Sequence, residues 1–232
     1  MSEKKTAVIF DLDGTLLDTL DDITDSLNYI ISNHGFAPVS REAVKSFVGN
    51  GAKRLVERAM YVKNGNLDAE VADPDLAEIC YNEFRAYYKD HANIKTAPYP
   101  GLVDALECLY KNKIPMAVVS NKPDAAVKSL CKSHFEKYIR IAMGDVTDRP
   151  RKPDPTALLE VIKELGCETA IYVGDSEPDI RVAENAKIPS ILMTWGFRDR
   201  QTLEENGAKI LANDANELLA ELSKLLGIDF GE

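Results

Sequence analysis

The sequence predicts an α/β fold, a doubly wound parallel sheet into which an all-helical domain is inserted. Three observations support this prediction. The apolar run Ala7-Val8-Ile9-Phe10 is typical of a strand buried in a parallel sheet. From Gly101 onward, short apolar runs alternate with segments of helical periodicity. No convincing strand occurs between these regions before residue 115, although a βαβ crossover needs only about 30 residues.

The long stretch after the first strand is predicted to be a helical insertion. Apolar residues recur there at helical spacing in four segments, which predict helices over Leu20–His34, Arg41–Phe47, Ala52–Val62 and Asp75–Tyr88. Polar and proline-containing segments, Leu16–Thr19 and Asn93–Pro98, bracket these helices and are expected to act as hinges. We therefore expect a core formed by residues 1–16 and 97–232 and a helical domain formed by residues 17–96.

The rest of the core is predicted as an alternation of strands and helices. The expected strands are residues 115–119, 139–143, 170–173, 190–194 and 209–212. The expected helices, each with an apolar stripe, are residues 101–112, 124–134, 155–165, 178–187 and 214–226. In such open sheets ligands bind beyond the carboxyl ends of the strands, so polar residues that follow these strands are the candidates for a site.

Composition and charge exclude several classes of function. The chain has 232 residues, 45% of them apolar, which is enough for one sizeable core and a smaller second domain. Its formal net charge of −10 argues against nucleic acid or an anionic membrane as a partner, and means that an anionic substrate needs local cations. The first apolar stretch is too short for a signal sequence, and no run approaches membrane-spanning length, so we expect a soluble cytoplasmic protein. The four widely spaced cysteines are expected to be reduced packing residues.

Two carboxylates, Asp11 and Asp13, come directly after the first predicted strand, and Gly14 allows the chain to turn there. Two acidic groups so close repel one another and are costly to bury unless a cation or hydrogen-bond donors are present. Hard oxygen ligands favour Mg²⁺, which usually also binds a substrate phosphate oxygen. The pair therefore predicts a magnesium site for a phosphate ester, although an Asp-Gly turn with a helix cap would use the same residues.

Three further polar signals follow later strands. Ser120 and Asn121, at the start of the segment Ser120-Asn121-Lys122, can donate hydrogen bonds to phosphate oxygens, or can simply cap the next helix. Lys152, in Lys152-Pro153, could neutralise both a phosphate and a carboxylate nucleophile, or could be a solvated surface residue. Gly174–Asp179 supplies the further carboxylates Asp175 and Asp179, or a capped turn with proline at the first helical position.

The four segments together resemble the motifs of the haloacid dehalogenase superfamily in order and spacing. The segments are Asp11-Leu12-Asp13-Gly14-Thr15-Leu16, Ser120, Lys152-Pro153 and Gly174-Asp175-Ser176-Glu177-Pro178-Asp179. The resemblance covers nearly the whole chain. It implies a Rossmann-like core that carries a helical cap, inserted just after the first motif.

The resemblance also implies a role for each motif residue. Asp11 is expected to attack phosphorus and form an aspartyl phosphate, and Asp13 to act as general acid and then general base. Mg²⁺ is expected to be held by the Asp11 carboxylate, the Asp13 backbone carbonyl and Asp175. Asp179 is expected either to bind the ion directly or to hydrogen-bond to residues that bind it. Ser120 and Lys152 are expected to bind the transferred phosphate.

Asp13 further predicts a phosphatase, because dehalogenases lack an acid at this position. The segment Val48-Gly49-Asn50-Gly51-Ala52-Lys53-Arg54 resembles the cap loop of phosphoglycolate phosphatases. Gly49, Asn50, Gly51 and Arg54 are therefore predicted to bind the substrate together with Ser120, Asn121 and Lys152. The expected partner is a small phosphorylated metabolite, most simply phosphoglycolate, bound by a monomer or homodimer.

Other functions stay open at this point. A β-phosphoglucomutase, a pyrophosphatase and a nucleotidase of the same superfamily share the core and its motifs. A phospho-accepting regulatory domain of receiver type also uses a strand-end aspartate and a lysine, but it needs neither an inserted domain nor an acid such as Asp13. One departure from the family pattern is Asn185-Ala186-Lys187, where these enzymes usually have Asn-Ala-Gly. Lys187 must therefore adopt a left-handed conformation, or the helix must end differently.

Overall fold

The structure is a computed structural model that describes residues 5–62, 66–67 and 70–230 of the chain. It divides into two compact units. The first consists of Met1–Asp18 and Pro98–Glu232, and the second of Thr19–Ala97. Two strands of two residues each, β2 (Leu17–Asp18) and β3 (Ala97–Pro98), lie where the chain passes from one unit to the other. None of the helices in the described ranges has the length and apolarity needed to cross a lipid bilayer.

The first unit is built on a six-stranded parallel sheet. Its strands are β1 (Thr6–Phe10), β4 (Met116–Pro123), β5 (Ile141–Asp145), β6 (Thr169–Gly174), β7 (Ser190–Met193) and β8 (Leu211–Ala212), in the order β5-β4-β1-β6-β7-β8. Strand β1 is therefore central, and Phe10 lies beside Val118 of β4 and Val173 of β6. This register brings the carboxyl ends of β1, β4 and β6 to one edge of the sheet.

Helices cover both faces of this sheet. They are α5 (Leu102–Lys111), α6 (Asp124–Phe135), α7 (Thr156–Glu164), α8 (Glu177–Ala186), α9 (Arg200–Glu205) and α10 (Ala215–Leu226). In β1, Val8 and Phe10 pack with apolar residues of α5, α6 and α10, whereas Ala7 and Ile9 pack with those of α7 and α8. Every one of these β1 side chains is fully buried, which explains why the strand reads as a continuous apolar run.

The second unit contains the helices α1 (Leu20–Asn33), α2 (Arg41–Phe47), α3 (Ala52–Tyr61) and α4 (Pro74–His91) in its described part. A buried carboxylate on α1 holds the segment at which the chain leaves this unit. Asp22 accepts hydrogen bonds from the backbone N–H groups of Ile94, Lys95 and Thr96, at 2.9 to 3.0 Å, and from the Thr96 hydroxyl at 2.8 Å. These charge-assisted bonds tie the segment that leaves the unit to the helix that enters it.

The predicted fold class is confirmed: a doubly wound parallel sheet is interrupted in sequence by a helical unit. The predicted helices and the core strands occur within a few residues of their expected positions, and β4 extends beyond the prediction to Pro123. Helix α9 is not predicted by the pattern. It has only six residues, and of these only Leu203 is buried, so it shows no apolar periodicity.

Helix α8 ends with Lys187 in a left-handed conformation, which is one of the two alternatives that the sequence left open for the Asn185-Ala186-Lys187 segment. Lys187 follows the helix with φ 57° and ψ 40°, which is a left-handed conformation. Its backbone N–H donates to the carbonyl groups of Ala183 and Glu184, as glycine would at this position. The lysine therefore bears the steric cost of a Cβ atom in the left-handed region.

We expect Lys187→Gly to raise the free energy of unfolding by about 1 kcal/mol, because glycine removes that Cβ strain. Urea denaturation measures the change. The matched control is Lys128→Gly, in the interior of α6, which should lower the free energy of unfolding by about 1 kcal/mol because glycine disfavours regular helix. A loss of stability in Lys187→Gly similar to that of the control would contradict the assignment of strain.

Candidate active site

The predicted core site residues converge at the carboxyl ends of the central strands. Asp11 directly follows β1 and Asp175 directly follows β6, whereas Ser120, which was expected to follow its strand, lies within β4. Asp11 donates its backbone N–H to Val173 of β6 at 2.8 Å, so its position is set by the sheet itself. All three residues are buried.

The chain after Asp11 forms a tight turn that holds the first carboxylates in place. The Leu12 carbonyl accepts the backbone N–H groups of Leu16 and Leu17, each at 3.0 Å, and the buried side chains of Leu12 and Leu16 anchor the turn in the core. Within the turn, Gly14 has φ 81°. The Leu12 N–H also donates to Asp11 Oδ1 at 2.7 Å, which fixes the orientation of that carboxylate.

Lys152 is the cation at the centre of the site. Its side chain is only 3% exposed, and its Nζ lies 3.0 Å from Asp11 Oδ1 and 2.7 Å from Asp179 Oδ1. Nζ also donates to the Tyr172 hydroxyl at 2.9 Å. Burial by itself would lower the pKa of this lysine, but the two carboxylates outweigh burial and hold the pKa well above its usual value. The sequence-predicted lysine is therefore a buried, fully charged group that bridges two acids.

Asn121 holds the backbone of Lys152 in this position. Its side-chain Nδ2 donates to the Lys152 carbonyl at 3.1 Å, and its Oδ1 accepts the Lys152 N–H at 2.9 Å. The predicted phosphate-binding amide is thus engaged in pairing with the Lys152 main chain. Asn121 therefore contributes to the site by holding the backbone of Lys152.

Asp179 accepts hydrogen bonds on both of its oxygens. Oδ1 accepts from Lys152, and Oδ2 accepts from the backbone N–H groups of Asp175 and Ser176, each at 3.0 Å, and from the Ser176 hydroxyl at 2.7 Å. These contacts organise the start of α8. They also link the lysine to the loop that carries Asp175.

Asp175 is completely buried and is held from two sides. Its Oδ1 accepts from the Thr15 hydroxyl at 3.0 Å, and its Oδ2 accepts from the Phe197 backbone N–H at 2.7 Å. Two glycines make room for it. A Cβ atom on Gly14 would lie 2.3 Å from Asp175 Oδ2, and one on Gly196 would lie 2.4 Å from Asp175 Cβ. The hydrogen bond from the Phe197 backbone is not evident in the sequence, because Phe197 lies 22 residues after Asp175.

Asp11, Asp175 and Asp179 form a buried acidic cluster in which one oxygen of each residue lies within 4.8 Å of the others. Burial, together with the charges of Asp179 and Asp13, raises the pKa of Asp11 to about 6, although Lys152 and a hydrogen bond from Ser120 oppose the rise. Burial and the charges of Asp179 and Asp11 likewise raise the pKa of Asp175 well above its usual value. Such a cluster of hard oxygen atoms with excess negative charge fits a divalent cation.

The structure brings a further residue, Lys122, to the site. Its Nζ lies 2.9 Å from Oδ1 and 3.1 Å from Oδ2 of Asp13, and its side chain is 3% exposed. The sequence interpretation assigned it no role. One feature of the sequence could have indicated a role for Lys122: it is the third polar residue in a row, after Ser120 and Asn121, in a strand that begins with apolar residues.

The four predicted cap-loop residues belong to the second unit. Gly49 and Gly51 have φ values of 112° and 85°, and Gly51 precedes α3. Arg54, on α3, contacts the Glu57 carboxylate at 3.2 Å, and the neighbouring Lys53 contacts the Glu78 carboxylate at 2.6 Å. Both cations therefore pair with acidic residues of their own unit. Asn50, between the two glycines, is exposed.

Comparison with known proteins identifies relatives that cover most of the chain. A family model described as haloacid dehalogenase-like hydrolase matches residues 8–193, which include all four predicted motifs. Phosphoglycolate phosphatase 1 of Pseudomonas aeruginosa is 34% identical over 215 residues, which are 91% of this chain and 78% of that protein. The phosphoglycolate phosphatase of Agrobacterium fabrum is 38% identical over 200 residues, which are 84% of this chain and 83% of that protein.

Solved structures show the same similarity. The crystal structure of a candidate phosphoglycolate phosphatase from Lactobacillus delbrueckii subsp. bulgaricus matches with a TM-score of 0.87 and 33% sequence identity, and the match covers 94% of this chain and 98% of that chain. The similarity therefore extends through both units of the fold.

We expect Gly14→Ala to lower the free energy of unfolding by about 2 kcal/mol more than Gly35→Ala does. Both glycines have φ 81°, so alanine meets the same backbone strain at each. At Gly14 the new methyl group would also collide with Asp175, whereas no atom lies within 4 Å of it at Gly35. Urea denaturation of the two variants isolates the collision. Equal losses would show that Asp175 moves aside freely.

Proposed function

Because the chain belongs to the haloacid dehalogenase-like hydrolase family, we propose that it is a Mg²⁺-dependent phosphatase. It hydrolyses a small phosphorylated metabolite through an aspartyl-phosphate intermediate. The observation that carries the proposal is the contact of Asp11 with Lys152 in a buried site that also contains Asp175. A carboxylate nucleophile can approach an anionic phosphate only where cations neutralise both groups, and this site supplies that condition.

The acidic cluster is the proposed Mg²⁺ site. The ion would be held by the carboxylates of Asp11 and Asp175 and by the backbone carbonyl of Asp13, and it would neutralise charge on the phosphate. Of the two roles that the sequence left open for Asp179, we propose the indirect one. Its oxygens already accept from Lys152, from two backbone N–H groups and from Ser176, so it orients Lys152 and the Asp175 loop.

Four core residues have separate roles in the proposed reaction. Ser120 and Lys152 hold the phosphate, and an Asp11 oxygen attacks phosphorus as the bond to the ester oxygen breaks. Asp13 gives a proton to the departing oxygen, which becomes an alcohol. Water then attacks the aspartyl phosphate, Asp13 takes its proton, and inorganic phosphate leaves with Asp11 regenerated. Each cycle returns the proton of Asp13 for the next substrate.

Phosphoglycolate is the proposed substrate. Support comes from the names of the relatives in Pseudomonas aeruginosa and Agrobacterium fabrum and from the Gly49–Arg54 segment. Substrate carboxylate binding is assigned to Arg54 rather than to Lys53. A guanidinium can bind a carboxylate bidentately while keeping a contact with Glu57, whereas the single ammonium of Lys53 is paired with Glu78. We place this reaction in the cytoplasm.

Asp11→Asn should lower phosphatase turnover by several orders of magnitude, because it removes the nucleophile and a metal ligand together. Release of phosphate from p-nitrophenyl phosphate and from phosphoglycolate, with Mg²⁺ and again after EDTA, measures the effect. The control Asp104→Asn, an exposed residue of α5, should retain wild-type turnover. Retention of one phosphate per wild-type chain without turnover would instead indicate a receiver-type domain. Substantial turnover by Asp11→Asn would remove Asp11 from its role.

Replacing both Lys53 and Arg54 by alanine should lower kcat/KM for phosphoglycolate by roughly a hundredfold, which corresponds to about 3 kcal/mol of charged hydrogen bonding. Hydrolysis of p-nitrophenyl phosphate should change little, because that ester carries no carboxylate. The matched control replaces Arg41 and Lys45, two cations on α2 of the same unit, and should affect neither substrate. Parallel losses on both substrates would contradict a role of the Arg54 segment in specificity.

A further inference from the structure

Lys122 is a buried cation that the proposed mechanism does not use. It lies at the end of β4, and its ammonium contacts both carboxylate oxygens of Asp13, at 2.9 and 3.1 Å. Lys152, the other buried lysine of the site, contacts Asp11 and Asp179 instead. Each reacting carboxylate therefore has a lysine of its own.

We propose that Lys122 is a positioning residue that orients the carboxyl group of Asp13 for proton transfer. This inference rests on the proposed function, in which Asp13 protonates the leaving oxygen. The side chain of Lys122 is itself almost completely buried, and its contact with Asp13 compensates its charge. A contact to both oxygens restrains rotation of the carboxyl plane, which a contact to one oxygen would leave free.

The contact also favours one orientation of the Asp13 carboxyl group when it is protonated. An ammonium can only donate, so when Asp13 is protonated, Lys122 bonds more strongly to the oxygen without the proton, which is the better acceptor. The O–H group is then on the other oxygen, directed away from Lys122. Proton transfer requires such an O–H group within hydrogen-bond reach of the leaving oxygen, and a small misplacement of it is costly.

The experiment compares two esters that differ in their need for this proton. An alkyl phosphate must have its leaving oxygen protonated, whereas p-nitrophenolate leaves without a proton. The quantity measured is kcat/KM, which includes only the steps through departure of the alcohol and therefore excludes the later role of Asp13 as a base. The alkyl ester is phosphoglycolate, or whichever alkyl phosphate the wild-type protein hydrolyses.

Lys122→Met should lower kcat/KM for the alkyl ester by roughly ten- to a hundredfold, the range expected for partial loss of a general acid, and for p-nitrophenyl phosphate by less than about threefold. The matched control is Lys128→Met, which removes an exposed lysine of α6 and should change neither value. Equal losses on the two esters would overturn the proposal, because a structural or phosphate-binding role would produce them. Unchanged kinetics on both esters would overturn it as well.

A double-mutant cycle tests whether Lys122 acts only through Asp13. In the Asp13→Asn background, Lys122→Met should change kcat/KM for the alkyl ester by less than about threefold, because no acid remains to be oriented. A further loss of tenfold or more would mean that Lys122 contacts the substrate directly, which would overturn the proposal. The double variant replaces both charges of the pair, so it provides this test even if Lys122→Met alone does not fold.

The same measurements separate this inference from the proposed function. If the wild-type protein hydrolyses neither ester, both are overturned. If it hydrolyses both and Asp13→Asn shows the selective loss on the alkyl ester while Lys122→Met does not, only the role of Lys122 is overturned.

Discussion

The buried ion pair network of Lys152 is the interaction on which the rest of the site depends. Its ammonium lies between Asp11, which follows β1, and Asp179, which lies in the first turn of α8. Three carboxylates buried within 4.8 Å of one another would repel strongly without this charge. Because Asn121 pairs with the Lys152 backbone, the position of the lysine is set by β4 as well. The site is therefore assembled from three neighbouring strands through one side chain.

Close packing of the main chain around Asp175 fixes the position of a second part of the site, the Asp175 carboxylate. The carboxylate lies against Gly14 and Gly196, and it accepts from Thr15 and from the Phe197 backbone. Both loops approach so closely that only glycine fits at the two contact points. Asp175 consequently has little freedom to change its position, and a carboxylate held in this way would lose little entropy if it bound an ion.

The balance of charge explains why the site suits a divalent ion and an anionic substrate in an acidic protein. Four carboxyl groups, Asp11, Asp13, Asp175 and Asp179, face only two ammonium groups, those of Lys122 and Lys152. Burial, with the repulsion among these carboxylates, raises the pKa of Asp11 and of Asp175, and a divalent cation would compensate the repulsion. The two lysines contact different carboxylates, since Lys152 pairs with Asp11, the proposed nucleophile, and Lys122 pairs with Asp13, the proposed acid.

The sequence by itself determined the fold class, and it predicted that Asp11 and Asp175 follow their strands, because apolar runs and their alternation with helices are local signals. Ser120, expected just after its strand, lies within β4, because that strand continues through polar residues to Pro123. Only the tertiary structure decided which groups meet. Lys122 and Asp13 are 109 positions apart, and Thr15 and Asp175 are 160 apart. No periodicity or local propensity connects such residues, since their contact depends on strand order and register in the folded sheet. The tertiary structure therefore decided that Asn121 supports Lys152 and that a second lysine holds Asp13.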